Sequence, residues 1–124
     1  MCRAWCQFGD IRKMKLLDNY KINGKVTESN SEYSINESNE LDTISVAGIT
    51  IQPGKKSFSH SHPKNDELYY IHSGSGTMTI GEKTFDITEG NVILCDGKEE
   101  HYISNTSESE MYLTMVFNNT AKNT

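Results

Sequence analysis

Apolar and polar residues alternate in short runs over the last two thirds of the chain, which is the pattern of half-buried β-strands. Ile44 and Val46 share one face of the first run, and Ile49 and Ile51 share the other. The phase changes at Ala47-Gly48, and this change predicts a β-bulge at that point.

Further strand-length runs follow at residues 56–62, 67–73, 77–80, 83–87, 92–95, 101–105 and 111–117. Turn signals separate them, and Gly81-Glu82 between two of the runs predicts a tight hairpin with a type II′ turn. Short strands at regular spacing, without a convincing long helix, predict an all-β fold built as an antiparallel sandwich or barrel.

The first third of the chain has a weaker pattern. Residues 1–18 show no strand period, and Met14 begins a stretch typical of an ordinary translation start, so we expect a weakly ordered N-terminal extension. Residues 28–40 are rich in Ser, Asn and Glu and are predicted to form a solvated loop. We therefore expect one β-barrel domain over residues 19–117 and a polar tail over residues 118–124.

Charge and composition exclude several classes of protein. A formal net charge of −5 and a pI near 5.3 argue against nucleic-acid binding, which needs a basic surface. No apolar run reaches the ~18 residues that a membrane span requires, and the first residues lack the apolar core of a signal peptide. The sequence predicts a soluble, cytoplasmic protein with neither a nucleic-acid nor a membrane partner.

The cysteines are Cys2, Cys6 and Cys95, and an odd count without a signal peptide argues against a disulfide framework. Cys95 ends an apolar run and is interpreted as a buried structural thiol. A nucleophilic role for Cys95 is the less favoured alternative, because the sequence places no base beside it.

Four residues have the spacing of a metal site. His60 and His62 project from one face of a strand, because side chains alternate between faces. Residues 63–66 predict a turn, after which Glu67 can aim its carboxylate at the same point. His101 offers a third imidazole. Imidazole and carboxylate ligands on a rigid sheet suit one divalent first-row metal ion, namely Mn, Fe, Co, Ni or Zn.

At these positions the sequence resembles the cupin superfamily. The first cupin motif is matched at Gly54, His60, His62, Glu67 and Gly74. The second motif is matched at Gly90, His101 and Asn105. It departs from the family at Asp96, where cupins have proline, and at Gly97, which stands one place early. Asp-Gly is itself a strong turn pair, so we expect the departure to change the turn without moving His101.

The resemblance implies a small single-domain, metal-binding cupin that folds as a double-stranded β-helix, also called a jelly roll. It implies that the four ligands leave one or two positions on the ion open to a substrate or water. Cupins commonly pair as homodimers through their early strands, so we expect a homodimer with its interface within residues 20–51.

Strand alternation also selects the residues that would line a cavity around the ion. The expected substrate-binding residues are Phe58, Tyr69, Ile103 and Asn105. Tyr69 is in addition the candidate catalytic residue, for proton transfer. Purely structural roles, with Tyr69 packing in the barrel and Asn105 holding a turn, are equally open.

Two functions remain open. The first is a metal-dependent enzyme acting on a small oxygen-chelating substrate, of the dioxygenase or the sugar isomerase or epimerase type. The resemblance also implies decarboxylation and lyase action as reactions of such a site. The second is a non-catalytic module that binds a small ligand in the same cavity. We expect no attached DNA-binding domain, which favours the enzyme, although a fold of this kind hosts many functions.

Overall fold

The computed structural model describes residue 22, residues 25–57 and residues 65–118, and within these ranges the chain forms nine β-strands and no helix that could cross a membrane. The strands are β1 (Lys25–Ser29), β2 (Tyr33–Ser38), β3 (Ile44–Ile51), β4 (Glu67–Ser73), β5 (Ser75–Ile80), β6 (Lys83–Thr88), β7 (Val92–Cys95), β8 (His101–Asn105) and β9 (Met111–Asn118). The all-β prediction is confirmed. The predicted extension over residues 1–18 and the tail beyond Asn118 lie outside the described residues.

The strands pair in two antiparallel sheets. The larger sheet has the order β1-β2-β3-β9-β4-β7, and the smaller has the order β6-β5-β8. From β4 onward the chain moves back and forth between them, with β5 and β6 in the smaller sheet, β7 in the larger, β8 in the smaller and β9 in the larger. This path places β4 and β8 in different sheets.

The hydrophobic core lies between the two sheets. One buried row crosses the larger sheet through the pairs Ile35↔Ile49, Ile49↔Leu113 and Leu113↔Ile71. Met78 from the smaller sheet belongs to the same buried cluster and has no exposed surface. Because successive side chains point to opposite faces, the buried residues of β4 and β7 occupy alternate positions.

The hairpin between β5 and β6 has the predicted turn. Ile80 pairs with Lys83, so Gly81-Glu82 is a two-residue loop. Gly81 has a φ of 60°, whereas Glu82 has no positive φ. A positive φ at the first loop position alone is the geometry of a type II′ turn, which confirms the prediction.

The β-bulge predicted at Ala47-Gly48 is wrong. β3 keeps an unbroken register through these residues with both of its neighbours, β2 and β9. The phase change in the sequence arises because β3 is apolar on both faces: Ile44 is 45% exposed on the outer face, whereas Ile49 is buried. A strand with two apolar faces lacks the clean alternation of a half-buried strand.

The solvated loop predicted over residues 28–40 is also wrong in part, because the end of β1 and all of β2 lie within it. β1 is exposed at all five positions and pairs only with β2, at the edge of the larger sheet. An exposed edge strand needs no apolar face, so its sequence has no period-2 signal.

The outer face of the larger sheet carries an apolar row. Val46 pairs with Val116, Val116 with Leu68, and Leu68 with Leu94. Leu94 is 74% exposed, and the other three are half-buried. Apolar surface of this kind is typical of interaction sites. The homodimer stays a prediction, and this row extends beyond residues 20–51, where its interface was expected.

Candidate metal centre

Two of the four predicted ligands meet in the interior. Glu67 is the first residue of β4 and His101 the first residue of β8, in different sheets and 34 positions apart in sequence. Glu67 Oε1 lies 2.6 Å from His101 Nε2. Glu67 is 4% exposed and His101 is fully buried. His60 and His62, the other two predicted ligands, lie outside the described residues.

The backbone fixes the orientation of the His101 ring. Nδ1 lies 2.8 Å from the carbonyl oxygen of Glu99, and because a carbonyl can only accept, Nδ1 must carry the donated proton. The other ring nitrogen, Nε2, faces Glu67. Burial opposes protonation of the ring, but the hydrogen bonds to the Glu67 carboxylate and the Glu99 carbonyl outweigh it and raise the pKa of His101.

Tyr69 contacts both of these residues. Its hydroxyl donates a hydrogen bond to Glu67 Oε1 at 2.6 Å, and its ring meets the His101 ring edge-on with centroids 6.3 Å apart. Burial, followed by the negative charge of Glu67, raises the pKa of Tyr69 far above its usual range. Tyr69 therefore remains a neutral phenol that donates to the carboxylate.

Cys95 joins the same cluster, which the sequence analysis did not predict. β7 pairs with β4 so that Cys95 stands directly opposite Glu67. The ligand atoms of Glu67, Cys95 and His101 all lie within 4.8 Å of one another. The predicted burial of Cys95 is confirmed. Burial, which outweighs a hydrogen bond from the Gly97 backbone, raises the pKa of its thiol. Only the register of β4 against β7 could have revealed this neighbour.

The chemistry of this cluster fits a divalent first-row ion. A buried carboxylate and an imidazole nitrogen converge, and a backbone carbonyl holds the second nitrogen of the ring. This anchoring is the arrangement found around metal-bound histidines, where it sets the tautomer and the ring orientation. The imidazole and the carboxylate suit Mn, Fe, Co, Ni or Zn, and the adjacent thiol is a third possible donor, which would favour the softer of these ions.

A cavity of about 300 Å³ adjoins the cluster, and Glu67, Tyr69 and Ile103 line it. Apolar residues of the larger sheet form much of the remaining wall, and polar and acidic residues complete it. Tyr69 and Ile103, two of the predicted substrate-binding residues, are therefore on the cavity wall, and their role in binding stays a prediction. Phe58, the other predicted apolar wall residue, lies outside the described residues.

Asn105 makes structural contacts and is not part of the described cavity lining. Its amide nitrogen donates to the carbonyl oxygens of Ile51 at 2.9 Å and Ser109 at 2.7 Å. Its amide oxygen accepts from the backbone N–H and the hydroxyl of Ser107. These four bonds correspond to the turn-holding alternative left open by the sequence, so the structure gives no support to substrate binding by Asn105.

Replacing Asn105 with alanine should lower the free energy of unfolding by about 2–3 kcal/mol, because the change removes four hydrogen bonds and leaves the Ile51 carbonyl without this donor. Urea unfolding followed by circular dichroism measures the loss. Asn91→Ala is the matched control, since Asn91 accepts one exposed bond, from the Thr88 N–H. Similar losses in the two variants would show that Asn105 does not hold the turn.

Two antiparallel sheets that enclose a buried carboxylate and imidazole define a small β-barrel of the double-stranded β-helix class. The family model of the cupin domain matches residues 48–117, more than half of the sequence, and the chain belongs to the cupin family. The cupin resemblance of the two motifs is confirmed.

The chain is 40% identical over 73 residues to a probable oxalate decarboxylase from Arthroderma benhamiae, covering 55% of this chain and 18% of that protein. It is 37% identical over 62 residues to L-ectoine synthase from Aliivibrio fischeri, covering 48% of each chain. The chain therefore spans about half or less of the length of these curated relatives.

A solved structure of Bacillus subtilis oxalate decarboxylase, with its Mn(II) centres, matches at a TM-score of 0.68 and 24% identity. The match covers 74% of this chain and 27% of that chain. This likeness concerns the fold alone, and with the family match it confirms the predicted double-stranded β-helix.

Proposed function

We propose that this cupin holds one divalent first-row metal ion and acts as an enzyme on a small substrate that chelates the ion through two oxygens. The proposed ligands are Glu67 and His101 together with His60 and His62. The observation that carries the proposal is the buried pair of Glu67 Oε1 and His101 Nε2, 2.6 Å apart, with the other ring nitrogen anchored on the backbone.

The proposal also concerns which metal ion the site would bind. Three imidazoles and one carboxylate are ligands that Mn, Fe, Co, Ni and Zn all accept, so supply and geometry decide among these metals. The Mn(II) centres of the structurally similar oxalate decarboxylase make Mn²⁺ the first ion to test. Cys95, beside the pair, would favour a softer ion such as Zn²⁺ or Co²⁺ if its thiol were to bind.

When bound, the ion supplies a positive charge that holds substrate oxygens and stabilises negative charge developing on them. The chain supplies position and proton control. Tyr69 stays protonated and donates to Glu67 Oε1, so it orients the carboxylate and is the candidate to hold or move a proton at the substrate. Apolar residues such as Ile103 form part of the wall beside this site.

We propose a dioxygenase or a sugar isomerase or epimerase as the reaction type. Decarboxylation, which the cupin resemblance also implies, is a third reaction to assay because two of the similar proteins are named as oxalate decarboxylases. In each of these reactions a bound ion would hold substrate oxygens and stabilise negative charge on them, and Glu67 and His101 would help to hold that ion. Non-catalytic ligand binding is the alternative outcome of the same experiments.

The full chain purified without oxygen should contain about one divalent ion per chain by elemental analysis. Fe²⁺-loaded protein should consume oxygen with enediols or catechols if it is a dioxygenase. If the protein is an isomerase, its Mn²⁺-, Co²⁺- or Zn²⁺-loaded form should convert keto- or aldo-sugars under nitrogen. If it is a decarboxylase, the metal-loaded protein should release carbon dioxide from oxalate.

Absence of bound metal after loading with every ion would contradict the metal centre itself. Stoichiometric metal with ligand binding but without turnover on any substrate would contradict the enzyme and support the binding module.

A further inference from the structure

Asn65 carries an unsatisfied polar atom at the cavity. It is 4% exposed, and its Oδ1 is the only buried side-chain oxygen or nitrogen of the described residues that has no hydrogen-bond partner. Asn65 lies two residues before Glu67, and both line the cavity of about 300 Å³. A buried acceptor without a donor is costly, and native structures rarely keep one without a reason. A bound ligand with an N–H or O–H group would supply the missing donor.

The same cavity has an acidic wall. Glu28 and Glu37 line it in addition to Glu67, and its described lining contains no lysine or arginine. Glu28 is exposed, Glu37 is half-buried and Glu67 is buried. The first two carboxylates therefore mark the solvent end of the cavity, and Glu67 marks the end at the metal centre.

The edge strand β1 positions one of these carboxylates. The register of β1 against β2 shifts between Val26 and Glu28, and such irregularities redirect side chains. Thr27 and Glu28 both line the cavity although they are neighbours in the strand. The Tyr33 hydroxyl donates a hydrogen bond to Glu28 and so holds its carboxylate in place. Glu28 is therefore held at the cavity by a neighbouring strand.

We propose that the ligand of this site is a small organic ammonium compound, with chelating oxygens at one end and a protonated amine at the other. The amine lies at the end formed by Glu28 and Glu37, and Asn65 accepts a hydrogen bond from the ligand. The oxygen end rests on the metal centre of the proposed function. A cavity of about 300 Å³ is at the small end of ligand sites, so the ligand has only a few carbons.

The negative charge of the cavity wall explains why the site would prefer a ligand with an ammonium group to one with a second carboxylate. An ammonium group among carboxylates forms charge-assisted hydrogen bonds, whereas a second carboxylate at the same place meets like charges and loses its hydration. The site therefore disfavours dicarboxylates. On this proposal the chain differs in substrate from the relative that is named as a probable oxalate decarboxylase.

Calorimetric titration of the Mn²⁺-loaded full chain tests the proposal with three probes of one carbon skeleton. The probes are 4-amino-2-hydroxybutyrate, 2-hydroxybutyrate and malate, which share the chelating hydroxy acid and differ in the charge of the far end. The amino compound should bind about tenfold or more tightly than malate, the size of one charge-assisted hydrogen bond. 2-Hydroxybutyrate should fall between them.

The double variant Glu28→Gln/Glu37→Gln should reduce the preference for the amine by about tenfold or more while leaving 2-hydroxybutyrate binding unchanged. Glutamine at position 28 can still accept the bond from Tyr33. Glu89→Gln/Glu108→Gln is the matched control, because it removes the same charge from two exposed residues that are not in the described lining. The control should keep the full preference.

Asn65→Leu separates ligand binding from a structural role. Because the Asn65 side-chain oxygen has no hydrogen-bond partner in the free chain, this change should leave the melting temperature unchanged or raise it. It should also weaken the binding of the amino compound severalfold. A lower melting temperature with unchanged ligand affinity would assign Asn65 to structure.

The chain could bind Mn²⁺ and yet bind malate as tightly as the amino compound, or more tightly, or bind none of the three probes. Any of these results would overturn the proposed ligand class and leave the metal centre in place. Failure to bind Mn²⁺ or any other divalent ion would instead overturn the proposed function.

Discussion

Replacing His101 with alanine should remove nearly all tightly bound metal from the purified chain. His101 Nε2 faces Glu67, and its Nδ1 is anchored on the Glu99 carbonyl, so the ring is already oriented for binding an ion. Loss of an anchored ligand should weaken metal binding by about a hundredfold or more, since even the loss of an outer hydrogen-bond partner costs 10- to 100-fold. Elemental analysis and Mn²⁺ titration followed by electron paramagnetic resonance measure the change.

Two further variants make this result decisive. His72→Ala is the matched control: His72 also lies in β4, but its Nε2 bonds to Thr114 Oγ1 at 2.7 Å and its ring packs on Tyr70, on the face opposite Glu67. It should keep its metal. Glu67→Gln keeps the shape of the buried pair and tests the centre even if His101→Ala fails to fold. Normal metal content in both Glu67→Gln and His101→Ala would rule out this site.

The strands that follow Glu67 could be predicted from the sequence nearly to the residue. The predicted run at residues 67–73 is β4, and the runs at 92–95 and 101–105 are β7 and β8. Each has a buried inner face and a more exposed outer one, so local alternation records its position in the sheet.

The first two strands were not predicted in this way, whereas β3 was predicted as a strand with a bulge that it does not have. β1 has five exposed residues and exists through its pairing with β2. β3 is apolar on both faces, so its inner and outer residues were mistaken for a bulge. The pairing partners and the exposed apolar row are properties of the assembled sheet, which no window of sequence contains.

The residues of the candidate site show the same difference between local spacing and the assembled sheet. Spacing within the two motifs was enough to select Glu67 and His101, which lie in contact. Cys95 and Asn65 were not selected, because their roles depend on strand register and on which walls enclose the cavity. His60 and His62 stay predictions.

Gly76→Ala should be the most destabilising small substitution in the barrel. Gly76 lies within β5 and pairs with Asn105 of β8. An added Cβ would overlap the Ser104 carbonyl oxygen and lie 3.0 Å from its carbon and 2.9 Å from Met111 Cε. The Met111 side chain can move, but the Ser104 backbone cannot move without separating β5 from β8. We expect a loss of about 3 kcal/mol or more in the free energy of unfolding, measured in urea.

Gly54→Ala separates this clash from the general cost of replacing a glycine. Gly54 has a φ of 73°, so alanine is strained there, but nothing lies within 4 Å of the added Cβ. Its cost should be about 1 kcal/mol, from backbone strain alone. If Gly76→Ala costs no more than Gly54→Ala, then β5 and β8 do not approach as closely as the structure shows. The position of His101 at the start of β8 would then need revision too, since Ile80 of β5 pairs with it.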